Sequence, residues 1–260
     1  PTPLWVPTAG NRQFNAALEE IKTTIQAIID ERRTTGELKH DLLDMLLAAH
    51  DDETGKSFTD FQLMIEMSGI MFAGHETTAS LLTWVFYMLS QHPEVEARLH
   101  AELDDVLNGR RPTMDDLPHL PYTEMIIQET LRLYPPAHAT TRQVVEDDVI
   151  EGYKVSAGDG IVVNIYGLHH NPAYWPEPER FNPERFSAEG VKQQTKLAYL
   201  PFLTGPRRCI GEQLAMSEAQ MVIAAVAQKY HLMLADKHPV KETKFALRTA
   251  DGLYMTLEPR

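Results

Sequence analysis

The sequence predicts a mainly α-helical fold with small β-sheets, an α+β class. Apolar residues recur at helical spacing over several segments of ten or more residues. Segments with strand character are short and few, and a proline-rich stretch at 171–201 predicts coil. The chain has 260 residues, 43% of them hydrophobic, which is enough apolar material for a sizeable core. We interpret 1–260 as part of a single domain.

The helices follow from apolar periodicity and from residues that start or stop a helix. The longest begins at a capping box, Thr59 with Gln62, and its apolar pattern continues to Pro93. A helix of that length, about 50 Å, crosses an entire domain. Pro135 and Pro136 stop a later helix. The predicted helices cover 12–33, 37–49, 59–91, 93–108, 122–134 and 210–230.

Two β-hairpins are predicted in the C-terminal half of the chain. The first joins strands at 149–155 and 161–165 through a glycine-containing turn at 157–160. The second has its turn at 250–252. Both predictions depend on local turn residues between segments of strand character.

The composition excludes several classes of protein. The chain has 24 Lys and Arg residues against 37 Asp and Glu residues, a formal net charge of −13, so we expect no nucleic-acid partner. Cys209 is the only cysteine, which excludes an internal disulfide and a zinc site of several cysteines. The most apolar stretch, 63–89, contains Glu66, His75 and Glu76, which favours a buried helix over a membrane span. We therefore expect a cytoplasmic, intracellular protein.

Cys209 lies in a segment rich in glycine and arginine, 202–211, directly before an apolar helix. The free N–H groups and positive dipole of the helix start would stabilise a thiolate, and Arg207 and Arg208 add positive charge. A soft, anionic sulfur suits the axial position of a haem iron. A lone cysteine is otherwise most often a small buried hydrophobic residue. The surrounding glycines and arginines favour the ligand interpretation.

A stripe of small residues runs along the longest predicted helix. Gly69, Ala73, Thr77 and Ser80 fall on one face, at spacings of four, four and three residues. Taken alone, the stripe is better explained by close helix packing than by a ligand. Glu76 alone is equally well explained as an ordinary half-buried carboxylate.

Four segments together resemble the cytochrome P450 family of haem-thiolate monooxygenases. Residues 202–211 match the family pattern F-x-x-G-x-R-x-C-x-G at all five specified positions. Residues 73–78 resemble the oxygen-binding segment A-G-x-[D/E]-T-[T/S]. Glu129 and Arg132, which alone could be a surface salt bridge, resemble the E-x-x-R helix, and 183–186 resembles the segment that completes its ion-pair cluster.

The resemblance implies that the chain binds haem b, with Cys209 as the ligand of the iron. It also implies that Arg207 and Arg142 pair with the haem propionates and that Phe202 packs beneath the porphyrin. Leu203 stands where a small polar residue is commoner in the family, which changes the hydrogen bonding of the sulfur but not its ligation. The other residues implied in cofactor binding are Ala73, Gly74 and Gly211.

The resemblance further assigns catalytic roles to Thr77 and Glu76, with O2 as co-substrate. The threonine hydroxyl would hold oxygen or a water, and the carboxylate would relay protons from solvent. Glu129, Arg132 and Arg185 would form a structural ion-pair cluster. The implied substrate-lining residues are Ala137, His138 and Ala139, followed by Thr140. The turn at Ala250 and Asp251 would also approach the pocket, or would be an ordinary surface loop.

The predicted function is a monooxygenase that inserts one oxygen atom into an apolar small molecule, by hydroxylation or epoxidation. A separate ferredoxin, flavodoxin or flavoprotein reductase would supply electrons, because the chain holds no flavin or iron–sulfur signature. Lys192, Lys196, Arg207 and Arg208 would attract an acidic partner, or would form an ordinary solvated patch. The alternative function is a haem-binding but catalytically incomplete fragment or binding module.

The resemblance extends from about Pro3 to the end of the chain, whereas the family's chains are much longer. The family's N-terminal sheet strands, a haem-contacting helix and part of the substrate lid have no counterpart before the first predicted helix. We therefore expect a C-terminal portion of the fold whose N-terminal remainder is a further partner. The sequence leaves a membrane anchor in that remainder open.

Overall fold

A computed structural model describes residues 2–235 and 237–260 of the chain. It divides into two compact units, the first ending at His75 and the second beginning at Glu76. The boundary between the units falls within one long helix.

Helices make up most of the regular structure, which confirms the predicted class. The α-helices are α1 (Ala9–Thr35), α2 (Leu42–Ala48), α3 (Asp60–Gln91), α4 (Pro93–Leu107), α5 (Pro121–Leu133), α6 (Ile165–His169), α7 (Ala188–Gln193) and α8 (Glu212–Ala227). Short 3₁₀ helices occupy Met114–His119, Pro183–Phe186 and Gly205–Arg207. The strands are β1 (Ala139–Gln143), β2 (Asp148–Ile150), β3 (Tyr153–Val155), β4 (Gly160–Asn164), β5 (Tyr230–Leu234), β6 (Lys241–Thr243), β7 (Leu247–Thr249) and β8 (Met255–Pro259).

The predicted capping box at the start of α3 is confirmed. The backbone N–H of Gln62 donates to Thr59 Oγ1 at 3.3 Å, and the backbone N–H of Thr59 donates to Gln62 Oε1 at 2.9 Å. Other helix ends differ from the prediction. Helix α2 begins at Leu42, because Asp41 caps its first turn, and α8 ends at Ala227, so that the residues predicted as its last turn lead into β5.

The first unit is formed by α1, α2 and the beginning of α3. Its small apolar core joins these helices and consists of Ile25, Ile29, Leu43 and Leu63. The buried guanidinium of Arg32 donates to both carboxylate oxygens of Asp41 at 2.8 Å and also pairs with Asp44. These ion pairs hold the pKa of Asp41 below its usual range. They fix the loop between α1 and α2.

The second unit has the larger core. The buried faces of α4, α5 and α8 meet in it, together with the second half of α3. Among its fully buried members are Val85, Leu99, Leu103, Ile126, Ile127 and Ile223. This core provides the rigid base on which the loops of the second unit are mounted.

The first predicted hairpin is wrong in its pairing. Segment 149–155 is not one strand, because Glu151 and Gly152 have φ values of 48° and 86° and turn the chain back. Strands β2 and β3 therefore form a tight hairpin of their own. Strand β4 pairs with β1 instead, with Ala139 opposite Asn164 and Gln143 opposite Gly160.

The second predicted hairpin is also wrong. The bend at 250–252 follows β7, but β7 pairs with β6 and β8 pairs with β5. The chain passes from one two-stranded sheet to another at this bend. Turn residues marked the change of direction correctly but could not specify partners that lie far away in the sequence.

Helix α3 is anchored in the second unit by strand β7. The carbonyl oxygen of Leu247 accepts hydrogen bonds from Ser80 Oγ and from Trp84 Nε1, the latter at 3.2 Å. The ring of Trp84 also stacks on Tyr134, with 4.2 Å between the ring centroids. These contacts fix the part of α3 that follows Glu76.

Among the described residues, none of the helices combines the length and the apolar character that a membrane span requires.

Candidate functional site

The loop 202–211 brings Phe202 and Cys209 together. The backbone N–H of Cys209 donates to the carbonyl oxygen of Phe202 at 2.9 Å, which closes the loop directly before α8. Leu203 and Gly205 both have positive φ, 62° and 70°. For Gly205 this conformation carries no penalty, whereas for Leu203 it is strained. The loop is thus held in a defined, partly strained shape.

The loop exposes groups that a protein core usually hides. The thiol of Cys209 is exposed, Ile210 is 99% exposed and Leu214, one turn later, is 70% exposed. A Cβ at Gly211 would contact only Cys209 Sγ, at 3.9 Å. The described chain itself therefore does not require a glycine at 211. A soft sulfur donor beside an exposed apolar surface is suited to a flat apolar ligand that carries a metal.

The arginines near this loop differ in their partners. Arg208 donates to the carboxylate of Glu212 at 2.7 Å. Arg207 forms no ion pair with any carboxylate of the described residues. Arg142, on β1, donates to Thr140 Oγ1 at 2.9 Å and to the carbonyl oxygen of Thr141 at 2.8 Å, and within the described chain it too has no carboxylate partner. Two guanidinium groups are thus free to receive anionic groups of a ligand.

These observations together test whether the residues fit a haem. A haem needs an axial ligand, apolar contacts for its faces and cations for its two propionates. The thiol of Cys209, the exposed Ile210 and Leu214, and the guanidinium groups of Arg207 and Arg142 supply each of these chemical types. The residues present fit the group.

The predicted catalytic residues lie on α3, where Glu76 has a partner that the sequence did not indicate. Its carboxylate is 3.3 Å from Nη1 of Arg248 on β7, and the same guanidinium pairs with Glu242 on β6 at 3.0 Å. The hydrogen bond that Arg248 donates to Glu242 is the largest cause that raises the pKa of Arg248. Glu76 and Thr77 are both half-buried. The carboxylate of Glu76 is therefore held in place by Arg248 and is still within reach of water.

Ala73 and Gly74 lie one turn before Thr77, in the part of α3 that belongs to the first unit. Both residues are exposed. A Cβ built at Gly74 would meet no atom within 4 Å. Space is therefore left beside Gly74, in the segment where the sequence predicts a groove.

Glu129, Arg132 and Arg185 lie together in the structure. Arg132 forms a bidentate pair with Glu129, at 2.7 Å and 2.9 Å, and both side chains are completely buried. Nε of Arg185 lies 3.3 Å from Glu129 Oε1, an ion pair without a hydrogen bond. Nη2 of Arg185 instead donates to the carbonyl oxygens of Pro176 and Glu177. Burial lowers the pKa of Arg185, and the charge of Glu129 opposes this shift.

The remaining donors of Arg132 bind the irregular chain that follows α6. They reach the carbonyl oxygens of His169, Pro178 and Arg180 at 2.9, 2.7 and 3.3 Å. His169 is itself buried, and its Nε2 accepts the backbone N–H of Leu200 at 2.8 Å. Burial lowers the pKa of His169 to about 4. The cluster thus holds the coil that leads towards the Cys209 loop.

The predicted substrate-lining residues lead into β1. The carbonyl oxygen of His138 accepts the backbone N–H of Tyr166 at 2.9 Å, and that of Pro136 accepts the N–H of Leu247 at 3.0 Å. The second bond places this segment beside β7, which also carries Arg248. Nδ1 of His138 is buried and has no hydrogen-bond partner in the described chain. Ala250 and Asp251, beyond β7, are exposed.

Sequence reasoning missed two residues of this site, Arg248 and His169. Neither stands in a recognisable motif, and each acts through a partner more than 30 positions away in the chain. The one available signal for Arg248 was its place three residues before Asp251 in a segment already expected near the pocket. For His169 the sequence contained no signal.

Comparisons with known proteins agree on one family. The family model described as cytochrome P450 matches residues 1–256. Cyclooctat-9-en-7-ol 5-monooxygenase from Streptomyces melanosporofaciens is 40% identical over 98% of this chain and 56% of its own length. Leukotriene-B4 omega-hydroxylase 3 from Mus musculus is 39% identical over 84% of this chain and 42% of its own length.

The similarity extends to three-dimensional structure. The crystal structure of the cytochrome P450DA heme domain has a TM-score of 0.91 and 32% sequence identity, covering 96% of this chain and 55% of that one. The chain thus spans about half the length of the relatives that it matches. With nearly the whole chain matched, at identities well above those of chance resemblance, this chain belongs to the cytochrome P450 family.

Proposed function

We propose that the protein containing this chain is a haem-thiolate monooxygenase that inserts one oxygen atom from O2 into an apolar small molecule, by hydroxylation or epoxidation. The observation that carries this proposal is the exposed Cys209 thiol, set before α8 beside exposed apolar side chains. The names of two relatives specify a monooxygenase and an omega-hydroxylase, which supports the reaction class. Haem b, when bound, supplies oxygen binding and activation.

The residues that would hold the haem have complementary roles. The thiolate of Cys209 would be the axial ligand, because its sulfur is exposed directly before α8 and a soft sulfur suits a haem iron. Arg207 and Arg142 would bind the propionates, because the described chain gives them no carboxylate of their own. Phe202 would pack beneath the ring near the sulfur. Room for the cofactor would be left by Ala73, Gly74 and Gly211.

Glu76 and Thr77 would deliver protons during oxygen activation. Glu76 is held by Arg248 rather than by a hydroxyl of the site, so one of its carboxylate oxygens remains available to water. It would take a proton from solvent and pass it towards Thr77 Oγ1, which would position the accepting oxygen atom or a water. Arg248 is a positioning residue in this scheme.

The substrate would bind against the chain segment that follows α5. Ala137, His138 and Ala139 lie beside β7 through the hydrogen bond between Pro136 and Leu247. Two of these three side chains are apolar, which suits an apolar substrate. The turn at Ala250 and Asp251 would form part of the pocket edge.

The electrons would come from a separate ferredoxin, flavodoxin or flavoprotein reductase. Of the four basic residues predicted to attract it, Lys192 pairs with Glu189 and Arg208 pairs with Glu212. Arg207 and Lys196 have no carboxylate partner among the described residues. Because Arg207 is also assigned to the haem, Lys196 would contribute most to a docking surface. The N-terminal remainder of the fold completes the pocket in this proposal.

The ligand assignment is tested by the spectrum of the full-length protein. The reduced wild type with carbon monoxide should give the red-shifted Soret band of a thiolate-ligated haem, and Cys209→Ser should lose it. Arg208→Lys is a matched control, since Arg208 already has its own carboxylate and should leave the band unchanged. A Cys209→Ser variant with the wild-type spectrum would disprove the assignment.

The catalytic assignment is tested by coupling. Thr77→Ala should lower the amount of product formed per O2 consumed by about tenfold or more, because a positioned proton donor contributes about 10²–10⁴-fold. Thr77→Ser should restore most of the coupling. Thr83→Ala is the control, because Thr83 is on the same helix, donates its hydroxyl to the carbonyl oxygen of Ala79 and has no assigned role in proton delivery. Bound haem without coupled turnover in the wild type would instead favour the catalytically incomplete binding module.

A further inference from the structure

Three metal-ligating side chains meet on the second unit, at a place that the proposed monooxygenase chemistry does not use. Glu96 and His100 are one turn apart on α4, so they share a face of that helix. His231 joins them from β5. Each residue offers one ligand atom, and these atoms all lie within 4.8 Å of one another.

The distances suit one small cation. Nδ1 of His231 is 3.3 Å from Glu96 Oε2, and Nε2 of His100 is 3.9 Å from Glu96 Oε1. Two ligands of a tetrahedral zinc ion, each at about 2.0–2.1 Å, are separated by about 3.3 Å. The Glu96–His231 pair already has this separation. The Glu96–His100 pair is somewhat longer and all three ligand atoms lie within 4.8 Å of one another, so small side-chain rotations would bring them to one ion.

A second observation points to a missing ligand. His100 is only 6% exposed, and its Nε2 has no hydrogen-bond partner in the described part of the chain. A buried polar atom without a partner is costly and rare in folded proteins. His100 Nε2, which lies close to Glu96, is thus a buried polar atom that the described protein leaves without a hydrogen bond.

The local charge also favours a cation. Arg260 is the arginine whose charge acts on His100, and this charge is offset by its ion pair with Asp104 at 2.6 Å. Glu258 is the register partner of His231 in the β5–β8 pair, so its side chain lies on the same face of that ribbon. It adds a second carboxylate on the residue that pairs with His231.

We propose that Glu96, His100 and His231 bind a divalent transition-metal ion, with Zn²⁺ as the best match. Two imidazole nitrogens and one carboxylate are a common zinc ligand set, and a water or Glu258 would complete four-coordination. The ion would join α4 to β5 and thereby clip the β5–β8 ribbon to the helical core. The site needs no haem, so it is independent of the proposed reaction.

The test is Zn²⁺ affinity of the full-length, haem-loaded protein, measured by competition with a chromophoric chelator. His231→Ala is the main variant, because His231 is 44% exposed at its side chain and its loss leaves no cavity in the core. It should bind Zn²⁺ about 100-fold more weakly than wild type, since even outer partners of a metal ligand contribute about 10–100-fold. Glu96→Gln should weaken binding in the same direction.

His119→Ala is the matched control, because His119 is an exposed histidine outside the cluster. It should keep wild-type affinity, and Zn²⁺ should raise the Tm of wild type and of this control but not of His231→Ala. Cu²⁺ bound to wild type should show hyperfine coupling to two nitrogens in its electron paramagnetic resonance spectrum. Equal Zn²⁺ affinity in His231→Ala, Glu96→Gln and His119→Ala would overturn the proposal, as would a Cu²⁺ spectrum unaltered by His231→Ala.

Discussion

The buried cluster around Arg132 and the loop around Cys209 use their polar groups in opposite ways. Arg132 has five N–H donors, and all of them are hydrogen-bonded within the described chain, to Glu129 and to three backbone carbonyls. In the loop, the thiol of Cys209 is exposed and Arg207 has no carboxylate partner among the described residues. The cluster around Arg132 satisfies its own polar groups, whereas the loop around Cys209 leaves polar groups available.

This difference distinguishes charged groups that stabilise the fold from charged groups that remain available to a ligand. A buried ion pair that is fully hydrogen-bonded fixes geometry, and its groups have nothing left to offer a ligand. The loop instead leaves donors and an apolar surface at Ile210 unused, which has no benefit for the folding of this chain alone. His169 connects the two regions, because its carbonyl oxygen binds Arg132 and its Nε2 binds the backbone of Leu200.

The largest effect is expected from breaking the cluster. Arg132→Met should lower the free energy of unfolding by about 3–5 kcal/mol, because it removes the main charge partner of the buried Glu129. The carboxylate would keep only the imperfect pair with Arg185 and the backbone N–H of Asn182. Urea denaturation followed by circular dichroism measures the loss. Arg180→Met is the control, since the Arg180–Glu177 pair is exposed and should contribute less than about 1 kcal/mol. Equal losses in the two variants would show that the buried cluster stabilises the fold no more than an exposed ion pair does.

The second effect is a pH dependence that arises at the link between the regions. Burial lowers the pKa of His169 from 6.5 to about 4, so the unfolded chain binds its proton more readily than the folded chain. Stability from this residue is therefore complete above pH 6.5 and is lost as the pH falls towards 4. The loss should reach up to about 3 kcal/mol, at 1.36 kcal/mol per pKa unit.

His169→Gln isolates this contribution, because a glutamine oxygen can still accept the N–H of Leu200 but does not titrate. The unfolding free energy of wild type should fall more steeply between pH 6.5 and 4.5 than that of the variant. Other histidines, such as His170, whose pKa burial also lowers, titrate in both proteins and cancel in the difference. Parallel pH profiles would show that His169 is not buried in the neutral form.

Helices and local motifs could be predicted from the sequence because their signals lie within a few residues. The capping box joins Thr59 and Gln62, and the buried ion pair joins Glu129 and Arg132. In each contact the two partners are three positions apart in the sequence, and both contacts are present in the structure. Strand pairing is decided elsewhere. The turn at Gly152 was missed because residues of strand character lie on both sides of it, and the partner of β4 is β1, about twenty residues earlier.

In the candidate site, too, local contacts could be predicted from the sequence and long-range contacts could not. The loop residues Phe202 and Cys209 could be placed together because seven positions separate them. The partner of Glu76 could not, since Arg248 is 172 positions away and an arginine on a three-residue strand carries no pattern. The ion pair between Glu76 and Arg248 depends on how β7 packs against α3. That packing includes a hydrogen bond to the backbone carbonyl of Leu247, and every residue has such a carbonyl, so the sequence does not indicate this contact.

The smallest effect on stability is expected where the functional effect is largest. Cys209→Ala should change the free energy of unfolding of the haem-free protein by less than about 0.5 kcal/mol, because an exposed side chain contributes little to packing. In the haem-loaded protein the same change should cost much more, since a ligand that binds only the folded state stabilises it. The measurement is the unfolding midpoint of both proteins with and without haem. A large loss in the haem-free form would mean that Cys209 serves the fold, as Arg132 does, and that the contrast between the two regions is wrong.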